Sequence, residues 1–334
     1  MKEAMFYGKR DGLKVKCILC AHNCIIPEGK KGICSVRENR NGILYSLVYG
    51  KLISMNIDPI EKKPLFHFCP ESTSFSISTV GCNFKCKHCQ NYDIAQYPKT
   101  HDKIPGEDVT PEKVVHAAEK AGCKSISYTY TEPTVFFEFA YDCARIAHQR
   151  GIKNVFVSNG YTGTEAAKKI IPYIDGNNID LKGDDQFYKK VCGARLKPVL
   201  DTIRLMKESG VWVEITTLII PSYNDSDEVL QDIIEFILSV DPAIPWHVTQ
   251  FYPTYEILDK PRTPVETLRR ARDMGLKAGL KYVYEGNVPG EGGENTYCPD
   301  CGELLIERIG YNTSNKIKNG TCFKCSAKIE GVWG

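Results

Sequence analysis

Cys82, Cys86 and Cys89 stand in one short stretch, Thr79-Val-Gly-Cys-Asn-Phe-Lys-Cys-Lys-His-Cys-Gln-Asn91, at C-x3-C-x2-C spacing. Three thiolates suit an iron–sulfur cluster better than zinc, because a structural zinc site closes with four ligands. A [4Fe–4S] cube takes four thiolates, so three leave one iron open to a small molecule. With 15 cysteines in 334 residues, this spacing arises by chance roughly 0.03 times per chain. The competing reading is a structural metal loop that takes His88 as a fourth ligand.

Two further cysteine groups have four members each. Cys298, Cys301, Cys322 and Cys325 form two C-x2-C knuckles twenty residues apart, the pattern of a zinc ribbon. Its length is too small for a good core, so the metal would supply folding energy. Rubredoxin-like iron is the minor alternative. Cys17, Cys20, Cys24 and Cys34 are spaced C-x2-C-x3-C-x9-C. Four thiolates there suit zinc, the first expectation, or a second, auxiliary iron–sulfur cluster. His22 lies among them as a weaker candidate ligand. The other four cysteines, Cys69, Cys123, Cys143 and Cys192, sit in apolar sequence and read as small core residues.

The elements that must position the triplet follow from periodicity. Between about 71 and 288, short runs rich in Ile, Val, Tyr, Phe and Thr alternate with helical patterns. Candidate strands cover 75–80, 125–130, 153–158, 177–181, 212–219, 246–251 and 281–285. Thr110-Pro-Glu and Glu132-Pro-Thr open helices, and later ones cover 164–173, 199–208, 226–239 and 264–279. Such alternation implies right-handed crossovers and a parallel sheet. The expected fold is α/β: a partial (β/α)6-type TIM barrel, with a Cys-rich N-terminal segment (1–70), a core (71–288) and a zinc-ribbon-like domain (289–334). A doubly wound open sheet is the alternative. The Gly-rich run Pro289-Gly-Glu-Gly-Gly293 reads as the hinge before the ribbon.

Polar motifs follow successive strands: Tyr128-Thr-Tyr-Thr-Glu-Pro133, Ser158-Asn-Gly160, Asp180-Leu-Lys182 and Pro221-Ser-Tyr-Asn-Asp225. The sixth strand carries Trp246-His-Val-Thr-Gln-Phe-Tyr252. In a barrel, chemistry sits at the C-terminal strand ends. Each motif alone could equally be a turn or a surface ion pair; their repeated position argues for one polar mouth. His247, Tyr252 and Tyr284 are candidates to face a substrate there or to pack.

On these motifs the chain resembles radical S-adenosylmethionine (SAM) enzymes of the pyruvate formate-lyase-activating-enzyme-like group. More narrowly, it resembles the radical SAM member of the AmmeMemoRadiSam system. The likeness runs from the Cys17–Cys34 group through Asp58-Pro-Ile-Glu-Lys-Lys-Pro-Leu-Phe-His-Phe68 and the cysteine loop to the strand-end motifs. It implies that Cys82, Cys86 and Cys89 each hold one iron and that SAM chelates the fourth. It implies that Glu132 meets the SAM amino group, that Ser158 and Asn159 meet the ribose, and that Asp180 and Lys182 line the pocket. Tyr130 and Thr131 stand where the family has a glycine pair, so the backbone there must differ; His88 replaces the usual aromatic residue. The implied reaction is reductive cleavage of SAM to methionine and a 5′-deoxyadenosyl radical, which takes hydrogen from an unidentified protein or small organic substrate. Activation of a glycyl-radical enzyme is one such reaction.

The implied partner is a low-potential electron donor of ferredoxin or flavodoxin type. Radical modification of RNA, with the ribbon and its lysines (Lys316, Lys318, Lys324, Lys328) reading the substrate, is a second hypothesis. A metal-stabilised binding or electron-transfer protein without SAM chemistry is a third. The formal charge of +2 provides no broad basic field. No apolar run reaches a bilayer span and no signal-peptide pattern opens the chain, so the expected location is the cytoplasm. Clustered cysteines in a reducing compartment point to metal rather than disulfides.

Overall fold

Eight strands form one central sheet in chain order, in a computed structural model that describes every residue except 289, 291 and 334. Two of these, Pro289 and Glu291, belong to the expected hinge, and that part of it lies outside the described residues. The strands are β1 (Ser54–Pro59), β2 (Thr73–Ser78), β3 (Ser125–Tyr128), β4 (Lys153–Ser158), β5 (Gly176–Asp180), β6 (Trp212–Ile219), β7 (Trp246–Gln250) and β8 (Val283–Gly286). From β2 to β8 every pairing is parallel. β1 alone is antiparallel, against β2. A doubly wound sheet reverses its strand order at a switch point; this order never reverses, which excludes that alternative.

Each parallel step crosses over through a helix: α1 (Pro111–Lys120), α2 (Phe137–Gln149), α3 (Thr164–Ile170), α4 (Lys197–Glu208), α5 (Asp227–Val240) and α6 (Val265–Ala278). Local chemistry explains their starts. Thr110 Oγ1 accepts from Lys113 N ahead of Pro111, and Ser226 Oγ caps Val229 N. Glu132-Pro-Thr opens a single 3-10 turn, Pro133–Phe136, before α2 begins. The strands bury both faces, as parallel sheets do, and Trp246, Phe136, Phe137 and Phe139 are sealed in the core.

The first fifty residues hold two small antiparallel sheets. Tyr7–Lys9, Val15–Cys17 and Ile25–Ile26 make one antiparallel sheet, and Lys2–Glu3, Ile43–Ser46 and Arg37–Arg40 another. Strands of two to four residues carry too little periodicity to stand out in sequence. β1 was also not foreseen; it pairs along its whole length with β2. At the other end of the chain, β9 (Thr296–Tyr297), β10 (Leu304–Ile309) and β11 (Asn312–Asn315) form a three-stranded antiparallel sheet.

The two outer segments dock at opposite ends of the central sheet. The N-terminal one sits on the loop after β4: Ala21 N donates to Tyr161 O (3.2 Å) and Gly163 N to Leu19 O (2.8 Å). The C-terminal one sits beneath the sheet, where the strands begin: Val332 N donates to His67 O (2.7 Å), and Arg308 Nη2 to Phe66 O (2.8 Å). Among the described residues, no helix is long and apolar enough to cross a membrane.

Candidate functional site

β2 ends at Ser78, and the chain passes through Gly81 into the cysteine loop. Gly81 has φ +101°, and a Cβ there would lie 2.5 Å from Val36 Cγ1, so only glycine lets the loop lie this close to the N-terminal segment. Loops after other strands clamp the cysteines. Lys85 N donates to Cys192 O (3.0 Å) and Lys87 N to Val191 O (3.1 Å), while Glu256 N donates to Lys87 O (2.9 Å). Phe84 N points at Cys82 Sγ (3.3 Å), and Asn159 Nδ2 lies 3.7 Å from the same sulfur.

Glu132, Ser158 and Asn159 come together at this mouth. Glu132 is 1% exposed. Its Oε1 accepts from Thr134 N (2.9 Å), Thr134 Oγ1 (2.6 Å) and Ser158 Oγ (2.9 Å), and its Oε2 from Asn159 N (2.8 Å). Burial raises the Glu132 carboxyl, against the pull of these donors. A carboxylate has about four acceptor sites, so Oε2 keeps room for one more donor. Asn159 joins the loops after β2 and β4 by donating from Nδ2 to Asn83 Oδ1 (2.8 Å). Gly160, at φ +69°, closes the turn.

Before Glu132 the backbone takes a conformation that glycine favours, held here on a tyrosine. Tyr130 holds φ +62°. Its hydroxyl donates to Asp58 on β1, Asn91 Nδ2 donates to its carbonyl (2.8 Å), and Lys63 Nζ lies 4.7 Å from its ring centroid. Three contacts hold a left-handed tyrosine in place.

Asp180 and Lys182 pair at 2.7 Å across the turn after β5. Burial alone would lower the Lys182 ammonium; the charges of Asp180, Cys86 and Cys192 outweigh it and raise it. His88 is buried against Phe187, with ring centroids 5.6 Å apart. Burial, then the Lys182 charge, pushes its imidazole down to about 3, so it stays neutral. Burial pushes the Cys89 thiol up to about 12 and the Cys82 thiol higher. Cys86 rises first through a hydrogen bond with Cys192, then through burial. Cys192 therefore borders the cysteine loop rather than merely filling core. Periodicity could not find it, because it lies in a π-turn, Tyr188–Cys192. Asn83 Nδ2 and His88 Nδ1 are buried without a hydrogen-bond partner. Unpaired polar atoms beside three thiols fit a polar group held in this loop.

Two expected mouth residues are elsewhere. His247 is the second residue of β7 and Tyr284 the second of β8, so both lie at the opposite end of the sheet. Strand residues near a sheet's start face its closed end. Tyr252, beyond the end of β7, is at the mouth and 41% exposed.

The C-terminal thiols converge. Cys298, Cys301, Cys322 and Cys325 place their sulfurs within 4.8 Å of one another, and Cys298–Cys325 and Cys301–Cys322 are 3.6 and 3.8 Å apart. This group could bind a metal ion. Against burial, backbone N–H groups of Cys325 and Lys324 bring the Cys322 thiol down to about 7, while the neighbouring Cys298 and Cys325 thiols are raised, the latter to about 12. Cys17, Cys20, Cys24 and Cys34 instead line one cavity with His22 and Arg37. Burial raises Cys20 and Cys24 and takes Cys34 to about 11.

Residues 76–237 match the radical SAM superfamily. The chain is 50% identical over 336 residues to an uncharacterised protein of Methanocaldococcus jannaschii, covering 99% of this chain and 100% of that protein. It is 24% identical over 219 residues to the pyruvate formate-lyase-activating enzyme of Clostridium pasteurianum, 61% of this chain and 89% of that one. A crystal structure of a radical SAM methyltransferase from Sphaerobacter thermophilus superposes with a TM-score of 0.52 at 16% identity, over 71% of each chain. That last likeness concerns the fold alone. A cysteine triplet at the C-terminal strand ends of a parallel sheet, in a chain with these relatives, makes it a member of the radical SAM superfamily and an enzyme of its pyruvate formate-lyase-activating-enzyme-like type.

Proposed function

We propose that β2 to β8 and their helices form a partial (β/α)6-type barrel whose mouth holds SAM against a [4Fe–4S] cluster on Cys82, Cys86 and Cys89. Bound there, the cluster and SAM would supply reductive cleavage of the sulfonium and, through it, hydrogen-atom abstraction from substrate. One observation carries the reading: the loop offers three thiols at the strand ends, with the spare acceptor of Glu132 Oε2 and the Asn159 amide beside Cys82.

The chain's own residues bind, orient and exclude water. Glu132 Oε2 receives the SAM ammonium. Ser158 and Asn159 face the ribose and fix Glu132 in return. Asp180 and Lys182 hold paired charge at the rim, where it orients a polar substrate without a buried uncompensated charge. His88, neutral and walled by Phe187, keeps water from the loop. No conventional nucleophile or acid–base triad is required.

Activating enzymes of this type act on proteins and use a reductant. The proposed substrate is accordingly a protein, with activation of a glycyl-radical enzyme the first case to test, and the proposed donor a ferredoxin or flavodoxin. The 1–70, 71–288 and 289–334 division, zinc in the C-terminal group and a cytoplasmic location belong to the same proposal. Tetrahedral ligands about 2.3 Å from one ion stand ~3.8 Å apart, close to the observed sulfur separations of 3.6 and 3.8 Å. RNA modification with the ribbon as reader is the weaker reading, because the ribbon docks beneath the sheet, away from the mouth.

The test is anaerobic. Protein reconstituted with iron and sulfide receives SAM and dithionite, and 5′-deoxyadenosine is measured against a Cys86→Ala control. The reading predicts product from the wild type only. A reduced, cluster-loaded wild type that makes no more than the control would defeat it.

A further inference from the structure

We propose that Cys17, Cys20, Cys24 and Cys34 hold a polynuclear iron–sulfur cluster, not zinc, and that this cluster passes electrons to the one on the Cys82 loop. The electron-passing half rests on the reading above; the occupancy half does not.

Two four-cysteine groups in one molecule give an internal comparison. The C-terminal sulfurs all lie within 4.8 Å of one another, as four ligands on a single ion must. Among the described residues theirs is the group of three or more metal-ligating side chains that meets this spacing. The N-terminal thiols do not converge in that way; they are set around the wall of a shared cavity. A cube carries its irons at separate corners and each thiolate beyond its own iron, so its ligand sulfurs stand farther apart than those around one ion.

Arg37 supports the same occupant. It lines the cavity, is 1% exposed, and its Nε is buried with no hydrogen-bond partner. The rest of its guanidinium is used: Nη1 donates to Met5 O (3.0 Å) and Nη2 to Glu138. A buried cationic N–H beside four thiols suits a site with net negative charge and sulfur acceptors.

Position decides the role. The C-terminal group sits beneath the sheet, remote from chemistry. The N-terminal group abuts the cysteine loop: His22 Nε2 donates to Asn83 O (2.8 Å), in the residue after Cys82. Thr134 and Val135, immediately beyond Glu132, form part of the same cavity wall. Outward, Ile18, Ile25 and Ile33 are exposed apolar residues beside the ligands. Between Lys9 and Lys31 the chain carries six basic residues against two acidic ones. An apolar patch with a basic rim suits a small acidic electron carrier. The step transfers one electron and no atoms: the reduced carrier is oxidised, the N-terminal cluster is reduced and reoxidised, and the Cys82-loop cluster gains the electron.

The test uses the full chain with Cys82, Cys86 and Cys89 all replaced by Ala, reconstituted anaerobically. The proposal expects about four irons and four sulfides to remain per chain, with a paramagnetic signal on reduction, and about one zinc. A second zinc with no acid-labile sulfide would overturn the occupancy, whatever the SAM activity. For the relay, Cys24→Ser and Cys20→Ala variants are reduced in a stopped-flow instrument, by dithionite and separately by reduced flavodoxin. At least a tenfold slowing with flavodoxin, and little change with dithionite, is expected at the Cys82-loop cluster. Equal rates with flavodoxin in variant and wild type would overturn the relay and leave the occupancy result standing.

Discussion

Glu214 Oε2 and His247 Nε2 lie 2.7 Å apart with both side chains closed to solvent. Glu214 also accepts from Phe66 N (2.9 Å), His67 N (2.8 Å) and Trp212 Nε1 (2.9 Å). Burial alone would raise this carboxyl; hydrogen bonds from His247 and Trp212 help hold it below its usual range. A carboxylate with four donors thus pins the segment entering β2 to the beginnings of β6 and β7.

The neighbouring His67 makes the fold acid-labile. Its Nδ1 donates to Glu330 O (2.7 Å), and its Nε2 lies 2.5 Å from Tyr284 OH, which can donate to it when the imidazole is neutral. Burial pushes it from 6.5 down to about 4. The unfolded chain binds the proton more readily, so stability is constant above pH 6.5, falls as pH drops toward 4, and levels below that. The loss is roughly 3 kcal/mol. Urea midpoints between pH 7 and pH 4 measure it. His67→Gln, which keeps a donor and an acceptor, is expected to start less stable and to show a flatter pH slope. An unchanged slope would assign the acid sensitivity elsewhere.

Removing the C-terminal metal is expected to loosen the underside of the sheet. Cys301 and Cys325 are exposed, so a chelator reaches them. Arg308 stacks 4.1 Å over Phe66, and Glu330 receives Tyr282 OH (2.8 Å) and the side chain of Lys281. These contacts need the ribbon folded. A metal whose free concentration stands a thousandfold above its dissociation constant contributes about 4 kcal/mol. Chelation should therefore lower the unfolding midpoint and open the chain to proteolysis between residues 288 and 296. Loss of one metal equivalent with no change in either would show that the ribbon folds without it.

Strand order and helix spans were readable because short apolar runs, buried on both faces, alternate with longer amphipathic helices. β4 (Lys153–Ser158) and β6 (Trp212–Ile219) have the expected limits. Glu132 and Asn159, just past strand ends, and Asp180, the last residue of β5, stood out as candidates from their positions alone. β1 was not, since its alternating apolar residues Met55 and Ile57 face outward, it ends in Pro59, and its partner lies beyond a connecting turn. His247 and Tyr284 were misplaced for a related reason. A strand motif marks an element, and only register against β6 and β8 tells which end of the sheet a residue occupies. Cys192 depends on tertiary contact alone.

Glu132→Gln should separate SAM binding from cluster binding. The amide has one oxygen, so either the three donors at Oε1 or Asn159 N must face an N–H. An opposed donor costs about 1–3 kcal/mol. Asn159 then shifts from Cys82, and the acceptor proposed for the SAM ammonium is lost. Iron content should stay at the wild-type value while SAM affinity falls at least tenfold. Thr134→Val, which removes one donor and leaves the carboxylate, should weaken binding less. Equal SAM affinity in Glu132→Gln and wild type would remove Glu132 from the SAM site.

Gly163→Ala tests whether the N-terminal cysteines depend on close backbone contact with the loop after β4. A Cβ at Gly163 would stand 2.4 Å from Ile18 O and 3.0 Å from Leu19 O, both fixed backbone atoms. Its φ of −68° is ordinary, so the penalty is steric and not conformational. Displacing the N-terminal strand breaks Gly163 N to Leu19 O and Ala21 N to Tyr161 O. The expected cost is about 1–3 kcal/mol. Gly122→Ala is the control: φ is +67° with no neighbour within 4 Å, so it pays only left-handed strain, about 1–2 kcal/mol. Hydrogen exchange distinguishes the two. Amides of residues 17–24 should exchange faster in Gly163→Ala and at the wild-type rate in Gly122→Ala, even where global stabilities match. Wild-type protection of those amides in Gly163→Ala would mean that the cysteine segment is held by its own sheet and not by the loop after β4.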